Sequence, residues 1–157
     1  MPQEIERKFL VKNSAFKKES VKVYAIKQGF LNSNKNRVVR IRVQNEQAFI
    51  TVKGLTSDDG TTRYEWERKI DLDDAETLLT LCEPTIISKT RFIVPAGNHI
   101  YEIDVFENDN EGLIIAEIEL NTTEEKFVKP NWLGEEVTGQ TKYYNSSLSR
   151  HPFKKWK

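Results

Sequence analysis

Charged residues of the same sign recur two positions apart along the chain, and they are the side chains best suited to chemistry. Residues i and i+2 of a β-strand point to the same face, so each pair would place two like charges side by side. The acidic pairs are Glu4 with Glu6, Glu65 with Glu67, Glu102 with Asp104, and Glu117 with Glu119. The basic residues are the pairs Arg40 with Arg42 and Lys89 with Arg91, together with Lys8 and Lys53. Apolar residues fill the alternate positions, which predicts strands with one charged face and one apolar face.

The two sets of charges predict a site for a polyanion and a divalent metal. Carboxylates are hard oxygen ligands that suit Mg²⁺ or Mn²⁺. The expected metal ligands are Glu4, Glu6, Glu117 and Glu119. Guanidinium forks and ammonium groups bind phosphate oxygens, and the expected phosphate-binding residues are Lys8, Arg40, Arg42, Lys53, Lys89 and Arg91. A chamber that holds both sets suits phosphoryl transfer, in which catalysis depends on positioning and charge neutralisation.

An ordinary sheet with one wet face and one core face would explain any one of these strands. The segregation of signs argues against that explanation for the whole chain. A solvated face usually mixes positive and negative residues, and like charges placed side by side are unfavourable unless a ligand compensates them. The charged faces are therefore predicted to surround a bound ligand.

Turn residues divide the chain into eight predicted strands, at residues 4–11, 23–31, 37–44, 47–53, 63–70, 86–94, 100–106 and 113–120. Short connections such as Gln44-Asn45-Glu46 favour antiparallel hairpins. Helices are predicted at 14–20, 72–82, 122–127 and 142–149. The helix at 72–82 has Asp71 or Asp73 as its expected N-cap. The predicted class is α+β and mainly β, an eight-stranded closed antiparallel barrel with helices packed outside. Its interior would be charged, and its apolar outer face would be covered by the helices and by a second subunit in a homodimer.

The composition narrows the function further. The 24 basic residues balance 24 acidic residues, which gives no reason to expect nucleic acid or an anionic membrane as a partner. Cys82 is the only cysteine, so the chain cannot form an internal disulfide. No secretory signal or membrane-spanning stretch is present in the sequence. We therefore expect a single domain over residues 1–157, a cytoplasmic location, and no nucleic-acid or membrane partner.

At these residues the sequence resembles the CYTH superfamily, also called triphosphate tunnel metalloenzymes. The hallmark of that superfamily is an ExExK motif on the first strand, which Glu4, Glu6 and Lys8 match. The resemblance continues in order through QGFL (28–31), VRIRV (39–43), TVKG (51–54), YEWE (64–67), SKTRF (88–92), YEIDVF (101–106), AEIEL (116–120), LGEEVT (133–138) and KYYNSSL (142–148). One departure is Phe30, where close relatives are expected to carry a tyrosine.

The resemblance implies an eight-stranded tunnel that binds triphosphate through the basic residues and a metal through glutamates. Glu4, Glu6 and Glu119 match the metal-binding glutamates, with Glu117 beside them. The resemblance gives four further acids the roles of holding the cations, binding a second metal, or orienting water, and these are Glu65, Glu67, Glu102 and Asp104. Of these four, Asp104 is predicted to be a metal ligand. The predicted catalytic residues are Lys8, Glu65, Glu67 and Lys89, of which Lys89 would position the attacking water.

Short bacterial members of the superfamily resemble inorganic triphosphatases, so hydrolysis of tripolyphosphate to pyrophosphate and phosphate is the leading prediction. A thiamine triphosphatase or an adenylate cyclase would use the same tunnel. A non-catalytic polyphosphate-binding module and a structural barrel with internal salt bridges are the alternatives from other classes. Retention of the whole charged set favours an enzyme.

Overall fold

Alternating charged and apolar residues form the strands of this protein, whose computed structural model describes residues 3–156. The strands are β1 (Gln3–Val11), β2 (Lys22–Asn32), β3 (Arg37–Gln44), β4 (Gln47–Gly54), β5 (Thr62–Ile70), β6 (Ile87–Ala96), β7 (His99–Phe106), β8 (Ile114–Glu119) and β9 (Leu133–Glu136). The α-helices are α1 (Phe16–Glu19), α2 (Leu72–Thr80) and α3 (Asn145–Arg150). The expected domain of 1–157 includes residues 1, 2 and 157, which lie outside the described residues.

Eight of the strands close into an antiparallel barrel. Their order around the wall is β5-β4-β3-β2-β6-β7-β8-β1, and β1 pairs with β5 through Gln3–Ile5 to complete the circle. Each of the eight predicted strands is present, with boundaries within two residues of those expected. The predicted closed barrel is therefore confirmed.

Along one edge of β1, the pairing partner changes from β5 to β9. The first residues of β1 pair with β5, whereas Phe9 and Val11 pair with the short strand β9. The loop before β5 and the turn after β9 meet at this place through Gly60 and Gly139, both with φ near +80°. A Cβ atom on Gly60 would lie 2.3 Å from Gly139 Cα, so a side chain there would force the two segments apart.

The apolar residues pack on the outside of the barrel, as predicted. Ala75 of α2 is fully buried against Ile41 and Ala48 of the β3–β4 wall. On the opposite side, Phe16 and Trp132 pack over β6, β7 and β8 in a second apolar cluster. Asp71 occupies the N-cap position of α2, although its side chain makes no capping hydrogen bond. None of the helices within residues 3–156 is long and apolar enough to cross a membrane.

A third apolar cluster lies around the C-terminal part of the chain. Tyr143 and Leu148 pack there with Phe30, Val38 and other residues of the strands. This packing holds α3 against β2 and β6 and brings the first residue of the helix, Asn145, to the cavity. The C-terminal segment is therefore part of the site.

The helix predicted at 122–127 is wrong. The segment forms a turn at Thr123 and Glu124 and then continues without regular structure. Its extended path lets Phe127 pack edge-on against Phe9 and lets the Val128 carbonyl accept the Tyr101 hydroxyl at 2.6 Å. Thr122 and Thr123 are weak helix formers, so these tertiary contacts decide the conformation.

Two further helix predictions and one strand need correction. The helix at 14–20 is limited to Phe16–Glu19. The helix at 142–149 becomes a 3-10 turn at Thr141–Tyr143 followed by α3, because Tyr144 between them is extended. The four-residue strand β9 was not predicted, since a strand this short carries little alternation.

Candidate active site

The barrel encloses a cavity of about 220 Å³ whose wall carries the charged pairs. Every predicted site residue except Asp104 lines it, and these are Glu4, Glu6, Lys8, Arg40, Arg42, Lys53, Glu65, Glu67, Lys89, Arg91, Glu117 and Glu119. Glu102 also lines the cavity. Period-two alternation around a closed barrel is what brings residues from seven strands together.

Four glutamates of β1 and β8 form what we call the acidic wall: Glu4, Glu6, Glu117 and Glu119. Antiparallel pairing places Glu6 directly opposite Glu119 and places Lys8 opposite Glu117. Burial, followed by the neighbouring Glu117 and Glu4, raises the pKa of Glu6 well above its ordinary value. Burial and the nearby Glu4 and Glu102 also raise the pKa of Glu119. Ionisation of Glu6 and Glu119 is therefore unfavourable until a cation compensates their charge.

Two lysines hold the other acidic side chains of this region. Lys8 Nζ donates to Glu117 Oε2 at 2.5 Å, and Lys53 Nζ lies 3.2 Å from Glu4 Oε1. Although burial opposes ionisation, Lys8 and Arg91 lower the pKa of Glu117 well below its ordinary value. Burial likewise opposes ionisation of Glu4, but Lys53 lowers the pKa of this carboxyl. The acidic wall thus contains two carboxylates paired with lysine and two whose pKa is raised.

Four cations of β3 and β6 form the basic wall: Arg40, Arg42, Lys89 and Arg91. β3 and β6 flank β2, which lies opposite β1 in the strand order, so the basic wall faces the acidic wall across the cavity. Burial and the neighbouring Arg40 and Arg91 lower the pKa of Arg42 to about 9, so the guanidinium is still charged at neutral pH. The Nε atom of Arg40 is buried and has no hydrogen-bond acceptor within the described residues.

Lys89 has the most constrained position in the basic wall, with a side chain that is 1% exposed. Its Nζ lies 2.7 Å from Asp104 Oδ2 and donates to Asn145 Oδ1 at 2.9 Å. Burial lowers the pKa of Lys89 to about 7 despite the Asp104 carboxylate, and the nearby Arg91 and Arg42 act in the same direction. A bound anion would restore the charge on this lysine.

Asp104 lies beneath the cavity wall and is 2% exposed. Arg91 donates to both of its oxygens, from Nε to Oδ1 at 2.7 Å and from NH2 to Oδ2 at 3.0 Å. Burial opposes its ionisation, but Arg91 and Lys89 hold the pKa of Asp104 below its usual range. With both oxygens committed to cations, the geometry favours the role of holding Arg91 and Lys89 over metal ligation.

Glu65 and Glu67 hold other cations of the cavity. Glu65 Oε2 lies 3.4 Å from Lys53 Nζ, and Glu67 Oε2 lies 3.4 Å from Arg40 NH2. Thr51 links the second pair, because its hydroxyl donates to Glu67 at 2.7 Å and accepts from Arg40 at 3.1 Å. Through these contacts Glu65 and Glu67 hold Lys53 and Arg40 in place. The catalytic role expected of the two glutamates stays a prediction.

The structure adds residues to the site that the charge pattern did not identify. Asn145 Oδ1 accepts from Lys89 Nζ and from Gln28 Nε2, and Gln28 Oε1 in turn accepts from Arg42 Nε at 3.0 Å. Arg63 lines the cavity at the start of β5. Gln28 and Arg63 could have been found from the alternation. Gln28 lies two residues before Phe30 and Arg63 two residues before Glu65, so each shares a strand face with a residue that lines the cavity. Asn145 had no such signal, since only tertiary packing brings α3 to the cavity.

Phe30 lines the cavity where the sequence comparison favoured a tyrosine. Its ring is 3% exposed and packs in the apolar cluster with Ile87 and Phe106. The side chain therefore closes this part of the wall by apolar packing and offers no hydroxyl to a ligand.

The fold and the site define a closed barrel that binds a polyanion opposite a cluster of carboxylates. The CYTH domain family matches residues 2–152, and the chain belongs to that family. An inorganic triphosphatase of Acetivibrio thermocellus is 40% identical over 100% of this chain and 99% of its own length. One of Nitrosomonas europaea is 34% identical over 93% of this chain and 96% of its own length.

Solved structures show the same architecture. The crystal structure of an inorganic triphosphatase is similar to this chain, with a TM-score of 0.67 and 31% sequence identity. The similarity covers 93% of this chain and 97% of the triphosphatase chain. A protein from Pyrococcus horikoshii has a TM-score of 0.62 and 19% identity, covers 77% of this chain and 81% of that chain, and shares the fold.

Membership of this metalloenzyme family implies a divalent metal, and the residues present fit one. Glu6 and Glu119 face each other at a β-ladder position, and burial with neighbouring carboxylates raises the pKa of both. A divalent cation would relieve this repulsion and would find the oxygen ligands it prefers. No group of three acidic, histidine or cysteine side chains within residues 3–156 is already gathered to metal-ligand geometry. Metal binding would therefore require these glutamates to turn towards a shared ion.

Proposed function

We propose that this protein hydrolyses inorganic tripolyphosphate to pyrophosphate and phosphate with Mg²⁺ or Mn²⁺. The observation that carries the proposal is the cavity itself, in which a basic wall faces an acidic wall inside a closed barrel. Full ionisation of either wall is unfavourable without a ligand. Burial and like-charged neighbours raise the pKa of Glu6 and lower the pKa of Lys89, so both side chains are shifted towards their neutral forms. A triphosphate and a divalent metal together supply the charges that both walls lack.

The basic residues bind the phosphate chain. Arg40 and Arg42 present guanidinium groups to the cavity, and Arg40 Nε lacks an acceptor among the described residues, which a phosphate oxygen would supply. Lys8 and Lys53 bind neighbouring phosphate oxygens from the side of β1 and β4. Glu65 and Glu67 keep Lys53 and Arg40 in place through the contacts of 3.4 Å.

Glu4, Glu6, Glu117 and Glu119 are the proposed metal ligands. A divalent metal bound there would neutralise charge on the phosphate oxygens during the reaction. Lys8 donates to Glu117 and lies 3.7 Å from Glu6 Oε1, so it orients two of these carboxylates. Glu6 and Glu119, whose pKa values are raised, are the carboxylates that gain most from the cation.

Lys89 is the proposed residue for positioning the attacking water. Asp104 and Asn145 fix its Nζ from two sides, so the ammonium group has a defined direction. The water oxygen forms a bond to the terminal phosphorus, the bond from that phosphorus to the bridging oxygen breaks, and pyrophosphate leaves with that oxygen. The water's protons remain with the phosphate product or pass to solvent, so the enzyme ends the cycle unchanged.

The proposed function is tested by phosphate release from tripolyphosphate, ATP and thiamine triphosphate, each with Mg²⁺, Mn²⁺ or EDTA. The expected result is metal-dependent release that is fastest with tripolyphosphate. Faster turnover of thiamine triphosphate, or formation of cyclic AMP from ATP, would assign the site to another triphosphate. Binding without turnover of all three substrates would make the barrel a polyphosphate-binding module.

Homodimer formation and a cytoplasmic location stay predictions. Val21 and Val23 are 69% and 49% exposed on the outer side of the chain near the start of β2, which is the kind of surface that a second copy would cover. Sedimentation velocity on the protein over a range of concentrations distinguishes a dimer from a monomer. A single species of about 18.3 kDa at every concentration would contradict the dimer.

A further inference from the structure

Arg63 is a cation of the cavity to which the charge pairs gave no role. It lines the cavity at the start of β5 and shares the inner face with Glu65, two residues along the strand. Across the β1–β5 pair, its Cα partner is Glu4. Arg63 therefore lies beside two carboxylates of opposite charge, Glu4 and Glu65.

Both of those carboxylates bind Lys53 instead. Lys53 Nζ lies 3.2 Å from Glu4 Oε1 and 3.4 Å from Glu65 Oε2. Burial raises the pKa of Glu65, and the cations that act against this increase are Lys53 and Arg40. Among residues 3–156, no carboxylate lies within ion-pair distance of the Arg63 guanidinium. Its positive charge is therefore available to a ligand.

The hydrogen bonding of Arg63 supports the same conclusion. Arg63 Nε is buried and has no acceptor among the residues that the structure describes. Buried donors without an acceptor are rare in folded proteins and need an explanation. Arg40 Nε has the same status, and both arginines line the same cavity. One bound anion that spans the cavity would supply both missing acceptors.

The strand order shows which part of that anion Arg63 would meet. β5 is four strands from β6 in either direction around the eight-stranded barrel, so Arg63 and Lys89 project from opposite sides of the wall. Lys89 is assigned above to the attacked end of the triphosphate. Arg63 therefore faces the other end of the chain, which leaves as pyrophosphate.

We propose that Arg63 binds the free terminal phosphate of the leaving pyrophosphate and thereby selects inorganic triphosphate over triphosphates esterified at that end. This inference rests on the proposed function. A free terminal phosphate offers three non-bridging oxygens to a guanidinium fork. An ester, as in a nucleoside triphosphate, replaces one of these oxygens by an organic group and removes negative charge, so the fork has less to bind.

The test compares Arg63→Ala with the wild type on tripolyphosphate and on ATP. We expect kcat/KM for tripolyphosphate to fall about 10- to 100-fold, mainly through KM, because a charged hydrogen bond is lost. The value for ATP should change by less than about threefold, so the preference for tripolyphosphate falls. If ATP turns over too slowly to measure, its inhibition constant against tripolyphosphate gives the same comparison. Arg63→Lys should recover part of the loss, since it keeps the charge without the fork.

Arg68→Ala is the matched control on the same strand. Its guanidinium is exposed, lies 4.8 Å from the centre of the Trp66 ring and points out of the barrel, so neither substrate should be affected. An unchanged KM for tripolyphosphate in Arg63→Ala, or an equal loss with both substrates, would overturn the inference. An inactive wild type would instead refute the proposed function. Calorimetric titration with tripolyphosphate in EDTA would then test whether Arg63 contacts the ligand. Weaker binding by Arg63→Ala than by Arg68→Ala supports the contact, and equal binding refutes it. Arg63→Gln, which preserves most of the side chain, replaces Arg63→Ala if the alanine variant does not fold.

Discussion

The acidic and basic walls of the cavity both place like charges side by side, and the two walls carry charges of opposite sign. On the acidic wall, Glu6 and Glu119 lie opposite each other, and burial with neighbouring carboxylates raises the pKa of both. On the basic wall, burial and neighbouring cations lower the pKa of Lys89 to about 7 and of Arg42 to about 9. Each wall therefore crowds like charges in a place where water screens them weakly.

The difference in sign determines what each wall can bind. The acidic wall is stabilised by a cation, and the basic wall is stabilised by the oxygens of an anion. A metal-bound triphosphate satisfies both at once, so binding of the metal and binding of the substrate should favour each other. The charges that make the empty cavity unfavourable are thus the charges that make the site selective.

The largest expected effect comes from removing one charge of the acidic wall. Glu6→Gln should reduce turnover of tripolyphosphate about 10³-fold. The variant loses a proposed ligand of the metal, and that metal would neutralise charge on the reacting phosphate. The same variant should melt at a higher temperature than the wild type at pH 8 without metal. A carboxyl whose pKa is raised on folding destabilises the folded state once it is ionised, so this penalty is present above the folded pKa and disappears as the pH falls.

Glu76→Gln is the control for that variant, because Glu76 is exposed on the outer helix α2. It should change neither the turnover nor the melting temperature. Full activity of Glu6→Gln would remove Glu6 from the metal site, and a lower melting temperature would contradict the repulsion attributed to the acidic wall.

The second effect concerns the basic wall. Lys89→Met should lower kcat about 10²-fold and change KM less, because Lys89 is assigned to positioning the water. Steady-state kinetics over a range of tripolyphosphate concentrations separates the two parameters. A normal kcat would remove Lys89 from the mechanism.

A smaller effect is expected from Asn145, which holds Lys89 and Gln28. Asn145→Ala should lower kcat about tenfold. Asn145→Asp would place a carboxylate beside Lys89 and raise its pKa, which moves the alkaline limb of the pH–rate profile to higher pH. Ser147→Ala, two residues further along α3, is the matched control. A pH profile of Asn145→Asp identical to that of the wild type would show that Asn145 does not act through Lys89.

The last effect is on the stability of the ligand-free protein. The pKa of Lys89 is about 7 in the folded state and lies below its unfolded value, so the unfolded chain binds more protons between these values. Lys89 therefore adds stability as the pH rises above 7, by at most about 1.4 kcal/mol per pH unit. Urea unfolding at pH 7 and pH 9 should show a larger gain for the wild type than for Lys89→Met. Equal gains would contradict the lowered pKa.

The barrel and most of its charged interior were predictable from the sequence for one physical reason. In a strand, the side-chain period of two fixes which residues share a face, so Glu4, Arg40 and Lys89 could be placed on the inner wall without knowing the register. The closed barrel then required only short antiparallel connections. Family membership narrowed the ligand from any polyanion to a triphosphate.

The features that were missed depend on tertiary packing. The sequence predicts a helix at 122–127, but contacts of Phe127 and Val128 with the barrel keep this segment extended. Asn145 enters the cavity only because α3 packs against the barrel wall. Asp104 lies on the charged face like the other acids, yet it is buried under two cations, and its depth could not be deduced from alternation.

The central claim is tested most directly by following the products of tripolyphosphate with ³¹P nuclear magnetic resonance. With Mg²⁺ or Mn²⁺ present, the account predicts that tripolyphosphate disappears while pyrophosphate and orthophosphate form in equal amounts, and that EDTA stops the reaction. Persistence of the tripolyphosphate signals with metal, or hydrolysis that continues unchanged in EDTA, would contradict the assignment of the two walls.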